Sequence, residues 1–184
     1  MILDLPDTNT GAINKKIVSL REEGGAITLG RVLTLVVAPD TEAILEEAID
    51  AANLSADTIK THDNLLLGTS TWGAGELQDD WYDGVKVLKA AGISHKFVAL
   101  FGCGDSDSYS DTFCNGMGNL YEELKETGCT FCGRTETDGY TFDSSISVVD
   151  GKFVGLALDE VNQDDLTDQR IDNWIEKLKT ECLN

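Results

Sequence analysis

Apolar positions along the chain fall into short continuous runs separated by stretches with helical spacing. Arg31–Val37 is a near-continuous run rich in Val and Leu, Asn64–Leu67 is a second, and Phe97–Phe101 a third. Apolar runs of this length without alternation predict strands buried on both faces. Met1–Leu5 is a shorter apolar segment that fits a first strand. The segments between have a different period. Ile13, Ile17 and Leu20 share one face of a helix over Ala12–Glu23, which Gly24-Gly25 ends. Ile44, Leu45, Ala48, Ile49 and Ala52 mark an amphipathic helix, and Trp81–Ala91 another. Met117, Leu120, Tyr121 and Leu124 line a helix over about Thr112–Thr127. Cys129–Cys132 and Phe153–Leu156 are strand-like. Thr167 is placed to cap a last helix with Ile171, Trp174, Ile175 and Leu178 on its buried face. Strands alternating with helices imply crossover units and a parallel sheet covered on both faces. The length suits a single domain over residues 1–184. Residues 24–63 are the poorest fit, because one strand and one loop do not use them all.

Two loops stand out against this pattern. Gly68-Thr69-Ser70-Thr71-Trp72-Gly73 follows one buried run, and Gly102-Cys103-Gly104-Asp105-Ser106-Asp107-Ser108-Tyr109 follows the next. Each puts one aromatic residue among Gly, Thr, Ser and Asp at the end of a strand. In an open parallel sheet, ligands bind just outside the carboxyl ends of the strands. Trp72 and Tyr109 are therefore placed to clamp a flat ring system between them.

Composition narrows the partners. The formal net charge is -19. That excludes nucleic acid and anionic membranes, which need basic surfaces, and suits docking onto basic proteins. No apolar run approaches the ~20 residues of a membrane-spanning helix. The five cysteines are odd in number and follow no secretory leader, so a reducing, cytoplasmic location is expected. Cys129 and Cys132 have the spacing of a redox or zinc pair. In a strand, however, residues three apart point to opposite faces, and no second pair with histidines follows. Two buried small side chains are the expectation. His62 and His95 are isolated and receive no role.

From Leu65 to the C-terminus the chain resembles the long-chain flavodoxins. Leu66-Leu67-Gly68-Thr69-Ser70-Thr71-Trp72 is similar to the family's first flavin loop, and Gly75-Glu76-Leu77-Gln78-Asp79-Asp80-Trp81 continues it. Ala99–Asp105 leads into the second loop. Asp138–Phe142 and Asp150–Asp159 resemble the insert that splits the last strand in the long-chain subgroup. The resemblance implies a three-layer fold with a five-stranded parallel sheet in the order 2-1-3-4-5. It also implies a bound flavin mononucleotide (FMN) with Trp72 on one face of the ring and Tyr109 on the other. Ser70 and Thr71 would be among the cofactor-binding residues. Asp105 and the backbone of Cys103 and Gly104 would meet its pyrimidine edge, and the Gly73–Ala74 peptide would face its N5 edge. Glycine at 73 makes a peptide flip there sterically easy. The flip, together with negative charge around the ring, would separate the two electron transfers. The implied function is a low-potential one-electron carrier, not an enzyme. Its partners would be basic redox proteins, such as a flavodoxin/ferredoxin reductase type donor and an acceptor enzyme, and the carrier would be a monomer.

The phosphate anchor is the part of the family pattern that has changed. Thr8-Asn9-Thr10-Gly11-Ala12-Ile13 is similar to the family's Thr/Gly phosphate loop, in which backbone N–H groups and hydroxyls hold the anion at a helix N-terminus. Ile13 stands where a hydroxyl is usual, Asp7 where a glycine is, and Asp4 is odd in a buried strand. A second register takes Arg31–Val37 as the first strand and Ala38–Ala43 as the loop, which has two acidic residues and no glycine. The first register is favoured for its Thr-x-Thr-Gly string. Two rivals to the carrier remain open: a flavodoxin-like interaction or regulatory protein that has lost flavin, and a flavin enzyme such as a quinone reductase.

Overall fold

The computed structural model describes residues 3–4, 34–38 and 44–182. Its centre is β4 (Asn64–Trp72), paired in parallel with β6 (Phe97–Cys103) from Asn64↔Phe97 through Ser70↔Cys103. The other edge of β6 carries two short parallel strands in succession. β7 (Thr130–Cys132) pairs with its first half and β11 (Leu156–Leu158) with its second. Between them an antiparallel three-stranded sheet interrupts the strand: β8 (Thr135–Glu136), β9 (Val148–Val149) and β10 (Lys152–Phe153). The expected split of the last strand is thus present.

Parallel pairing of β4 and β6 follows from the connection between them. α1 (Ala56–Thr61) precedes β4, and α2 (Asp80–Ala91) forms the crossover from β4 to β6. α3 (Asn115–Leu124) follows β6, and α4 (Thr167–Glu181) follows β11. Alternation along the strands divides the core between two faces. Leu65, Leu67, Val98 and Leu100 join Trp81, Leu88, Met117 and Leu120 in one buried cluster. Phe101 turns the other way, edge-on to Trp174 of α4 at 6.1 Å between centroids. Each fully buried leucine contributes about 2 kcal/mol. The two tryptophans also tie helices to strands: Trp81 Nε1 donates to the Gly68 carbonyl at 3.0 Å, and Trp174 Nε1 to the Gly133 carbonyl at 2.7 Å.

The amino-terminal side of β4 differs from expectation. β2 (Thr34–Ala38) lies beside β4 but runs antiparallel to it, with Thr34↔Leu67 and Val37↔Asn64. β3 (Ile44–Ile49) pairs antiparallel with β2, and β1 (Leu3–Asp4) antiparallel with β3 at the sheet edge. The α/β class and the parallel part of the sheet stand. Ile44–Ile49 is nonetheless a strand where an amphipathic helix was expected. The cause is the connection: residues 39–43 are hairpin length, whereas a parallel crossover needs about a dozen residues or more. Met1–Leu5 is represented by Leu3–Asp4, which sits at the edge and not beside β4. The expected helix over Ala12–Glu23 lies outside the described residues. Thr167 begins α4 but does not cap it. Its hydroxyl donates to the Glu160 carboxylate instead.

Candidate functional site

Because β4 and β6 are parallel neighbours, their carboxyl ends deliver two loops to one edge of the molecule. Ser70, paired with Cys103, is buried. Thr71 and Trp72 are half-buried, and Gly73 and Ala74 are exposed. The first loop turns at Gly73 (φ +52°) and Gly75 (φ +108°), closed by a 2.9 Å hydrogen bond from the Gly75 N–H to the Trp72 carbonyl. Both angles lie where glycine alone is unstrained. The short strand β5 (Glu76–Leu77) then folds back onto Thr71 and Trp72.

The start of α3 wedges against both loops. The Gly116 N–H donates to Thr71 Oγ1 at 3.1 Å, and Asn119 Nδ2 to the Gly75 carbonyl at 2.8 Å. Gly116 must be glycine for this approach, since a Cβ there would lie 2.5 Å from the Ser70 carbonyl oxygen. On the other loop, a Cβ at Gly104 would lie 2.7 Å from the Cys114 nitrogen. Cys114 itself takes a left-handed conformation (φ 54°) and is fully buried, which pushes its thiol up from the ordinary value. Its thiol donates to the Gly102 carbonyl at 3.6 Å.

The second loop is organised by two carboxylates. Asp105 accepts from the Asp107 N–H (3.1 Å), the Ser108 N–H (2.9 Å) and Asn162 Nδ2 (3.0 Å), all on one oxygen. Partial burial pushes its carboxyl up, but the hydrogen bonds from Ser108 and Asn162 outweigh that and hold it below its ordinary value. Behind it, Asp159 is 0% exposed at the end of β11. Its carboxylate takes the Ser106 hydroxyl, the Ser106 N–H at 3.3 Å and the Asn162 side chain at 2.9 Å. Tyr109 ends the loop and is 54% exposed.

The structure therefore brings Ser70, Thr71, Trp72, Gly73 and Ala74 to the same sheet edge as Cys103, Gly104, Asp105 and Tyr109. The Asp105 carboxylate faces its own loop, and the Gly104 N–H is taken by the Leu158 carbonyl at 3.0 Å. Thr8, Asn9, Thr10, Gly11, Ala12 and Ile13 lie outside the described residues. Sequence reasoning missed Asp159, Asn162 and Gly116. The available signal was an Asp directly after the apolar run Leu156–Leu158, with Asn three residues on. One donor in the site is left over: Trp72 Nε1 is buried and has no hydrogen-bond partner among the described residues.

Known proteins share this arrangement. A flavodoxin from Helicobacter pylori is 44% identical over 133 residues, 72% of this chain and 80% of that protein. Flavodoxin 1 of Azotobacter vinelandii is 42% identical over 149 residues, 77% of this chain and 86% of its own length. The crystal structure of a Fusobacterium nucleatum flavodoxin bound to flavin mononucleotide matches with a TM-score of 0.64 at 38% identity, over 68% of this chain and 75% of that one. The family model for flavodoxin matches residues 25–174, which takes in both loops, the wedge of α3 and the split strand. On that match and that geometry, the chain belongs to the flavodoxin family.

Proposed function

We propose that this protein binds one flavin mononucleotide between the two loops and carries single electrons between protein partners. The family is one of electron-transfer proteins and not enzymes. The observation that carries the reading is the pair of parallel strand ends that set Trp72 and Tyr109 on neighbouring loops of one edge. The residues present fit the group. Trp72 has an orphaned buried N–H donor, as expected where a polar ligand belongs. Tyr109 leaves a ring face exposed, suited to stacking worth about 0.5–1.5 kcal/mol beyond area burial. Gly73 and Ala74 are exposed, and glycine at 73 lets the peptide between them take either orientation at low steric cost.

When bound, the flavin supplies the redox chemistry, and the protein sets its affinity and potential. Trp72 and Tyr109 hold the ring and exclude water from its faces. Asp105 and Asp159 keep the second loop in shape for that contact. Glu76, Asp79 and Asp107, all exposed around the site on a -19 chain, disfavour added negative charge there and steer the molecule to basic docking faces. We place the protein in the cytoplasm on the strength of its five cysteines, an odd number. No helix among the described residues is long and apolar enough to cross a membrane.

A second reading, an interaction or regulatory protein without flavin, draws on the changed phosphate loop, with Ile13 and Asp7 where the family has a hydroxyl and a glycine. An absorbance spectrum separates the two. The carrier is yellow as purified or after adding FMN, and stepwise reduction resolves two midpoint potentials. Protein that stays colourless in excess FMN overturns the carrier.

A further inference from the structure

The link from β8 to β9 runs back along residues 110–118, the stretch that follows Tyr109 and enters α3. The N–H groups of Asp143 and Ser144 both donate to the Ser110 carbonyl, at 2.8 and 3.0 Å. In return the Ser110 hydroxyl donates to Asp143 Oδ2 at 2.6 Å. Three serines continue the line. Their hydroxyls donate to successive carbonyls: Ser144 to Asp111 (2.6 Å), Ser145 to Phe113 (2.5 Å) and Ser147 to Cys114 (2.5 Å). Gly118 of α3 allows the approach, since a Cβ there would lie 2.7 Å from the Ser147 nitrogen. Phe142 anchors the same segment by stacking on the fully buried Phe113, with 5.5 Å between centroids.

We propose that Asp143 is a positioning residue for flavin binding: through Ser110 it fixes Tyr109 where its ring can stack on the flavin. The proposal rests on the reading of the two loops as a flavin clamp. Tyr109 sits one residue before the line of bonds, and on its other side its N–H donates to the Asp105 carbonyl at 3.1 Å. At 54% exposed, it is held by the backbone on either side of it more than by packing. A loop of this kind keeps its freedom unless its neighbours are tied down, and a group ordered before its ligand arrives binds more tightly than one ordered on binding. Asp143 supplies the tie nearest to Tyr109. It receives the Ser110 hydroxyl on its carboxylate and donates its own N–H to the Ser110 carbonyl, so both polar groups of Ser110 that face the insert are engaged by one residue. Thirty-three residues separate the two in sequence, and the insert thereby acts on one face of the ring without touching it.

The test titrates the full chain with FMN and with riboflavin, read by flavin fluorescence. Asp143→Ala should weaken both by the same factor, about fivefold, because the ring is common to the two and the phosphate is not. Asp143→Asn keeps an acceptor for the Ser110 hydroxyl and should recover most of that loss. In a Tyr109→Ala background, Asp143→Ala should add nothing. In the flavin-free protein, amide exchange in Asp143→Ala should quicken at Tyr109 and Thr112, whose N–H groups bond within the second loop, and stay unchanged at Gly75 in the first. A loss confined to FMN, an Asn variant as weak as the Ala variant, a loss that persists without Tyr109, or unaltered exchange at Tyr109 and Thr112 would each overturn the proposal. Wild type that binds neither flavin overturns the carrier reading instead, and the exchange measurement then still decides whether Asp143 holds Tyr109.

Discussion

The loop after β4 is held by backbone. Two positive-φ glycines turn it, α3 approaches it through Gly116, and its hydrogen bonds run to main-chain atoms or to the Thr71 hydroxyl. The loop after β6 is held by carboxylates, with Asp105 inside it and Asp159 behind it. The two loops share one sheet edge, yet they depend on different physics. A close backbone approach tolerates no added atom and ignores pH. A carboxylate clamp tolerates small changes of shape and responds to acid. The difference predicts where each loop will fail.

The largest effect belongs to the wedge. Gly116→Ala puts a methyl 2.5 Å from the Ser70 carbonyl and 3.2 Å from the Thr71 Cα, all backbone of the central strand. Neither side can yield, so the expected cost is about 3 kcal/mol, read as a lower urea midpoint at unchanged slope. A loss below ~1 kcal/mol would mean that α3 rides over β4 without constraining it.

Asp159→Ala comes second. It leaves the Ser106 N–H and hydroxyl without their acceptor in a fully buried setting, at a cost of about 2 kcal/mol. Amide exchange should quicken first at Ser106 and Ser108, with the first loop unmoved. If both loops loosen together, the distinction between them collapses. Gly73→Ala is smaller. Its φ of +52° is left-handed, which costs a residue with a Cβ about 1 kcal/mol, while the neighbour in its way is only the flexible end of Glu76. Asn at 73 should cost less than Ala, because Asn tolerates that region.

The contrast also explains how much could be read from the chain alone. β4, β6, α2 and both aromatic loops were legible because local signals agree: unbroken apolar runs, a helix-period face at Trp81, Val85 and Leu88, and Gly/Ser/Thr/Asp loops at the strand ends. The split of the last strand was legible through family resemblance. Ile44–Ile49 was not, since its apolar spacing fits a helix face as well as a short strand, and a hairpin-length link settled it as antiparallel. The partners that lie far apart in sequence were also hidden. Ser106 meets Asp159 only because β11 lines up along β6. No spacing rule reaches across fifty residues.

The smallest effect is the most specific to the carboxylate loop. Asp105 is held below its ordinary value of 3.8 by hydrogen bonds that exist only in the folded chain. A depressed acid stabilises the fold fully above its unfolded value and loses that contribution as pH falls through the folded value. Wild type should therefore exceed Asp105→Asn in stability at neutral pH, by roughly 0.5 kcal/mol given the solvent around this carboxylate. The gap should begin to close near pH 4 and vanish below it, in urea unfolding measured at matched ionic strength. Gly73→Ala, measured alongside, should show a gap from wild type that does not change over the same range, because a backbone angle does not titrate. A pH-independent gap for Asp105→Asn, or a pH-dependent one for Gly73→Ala, would show that the second loop does not rest on its carboxylates in the way the hydrogen bonds indicate.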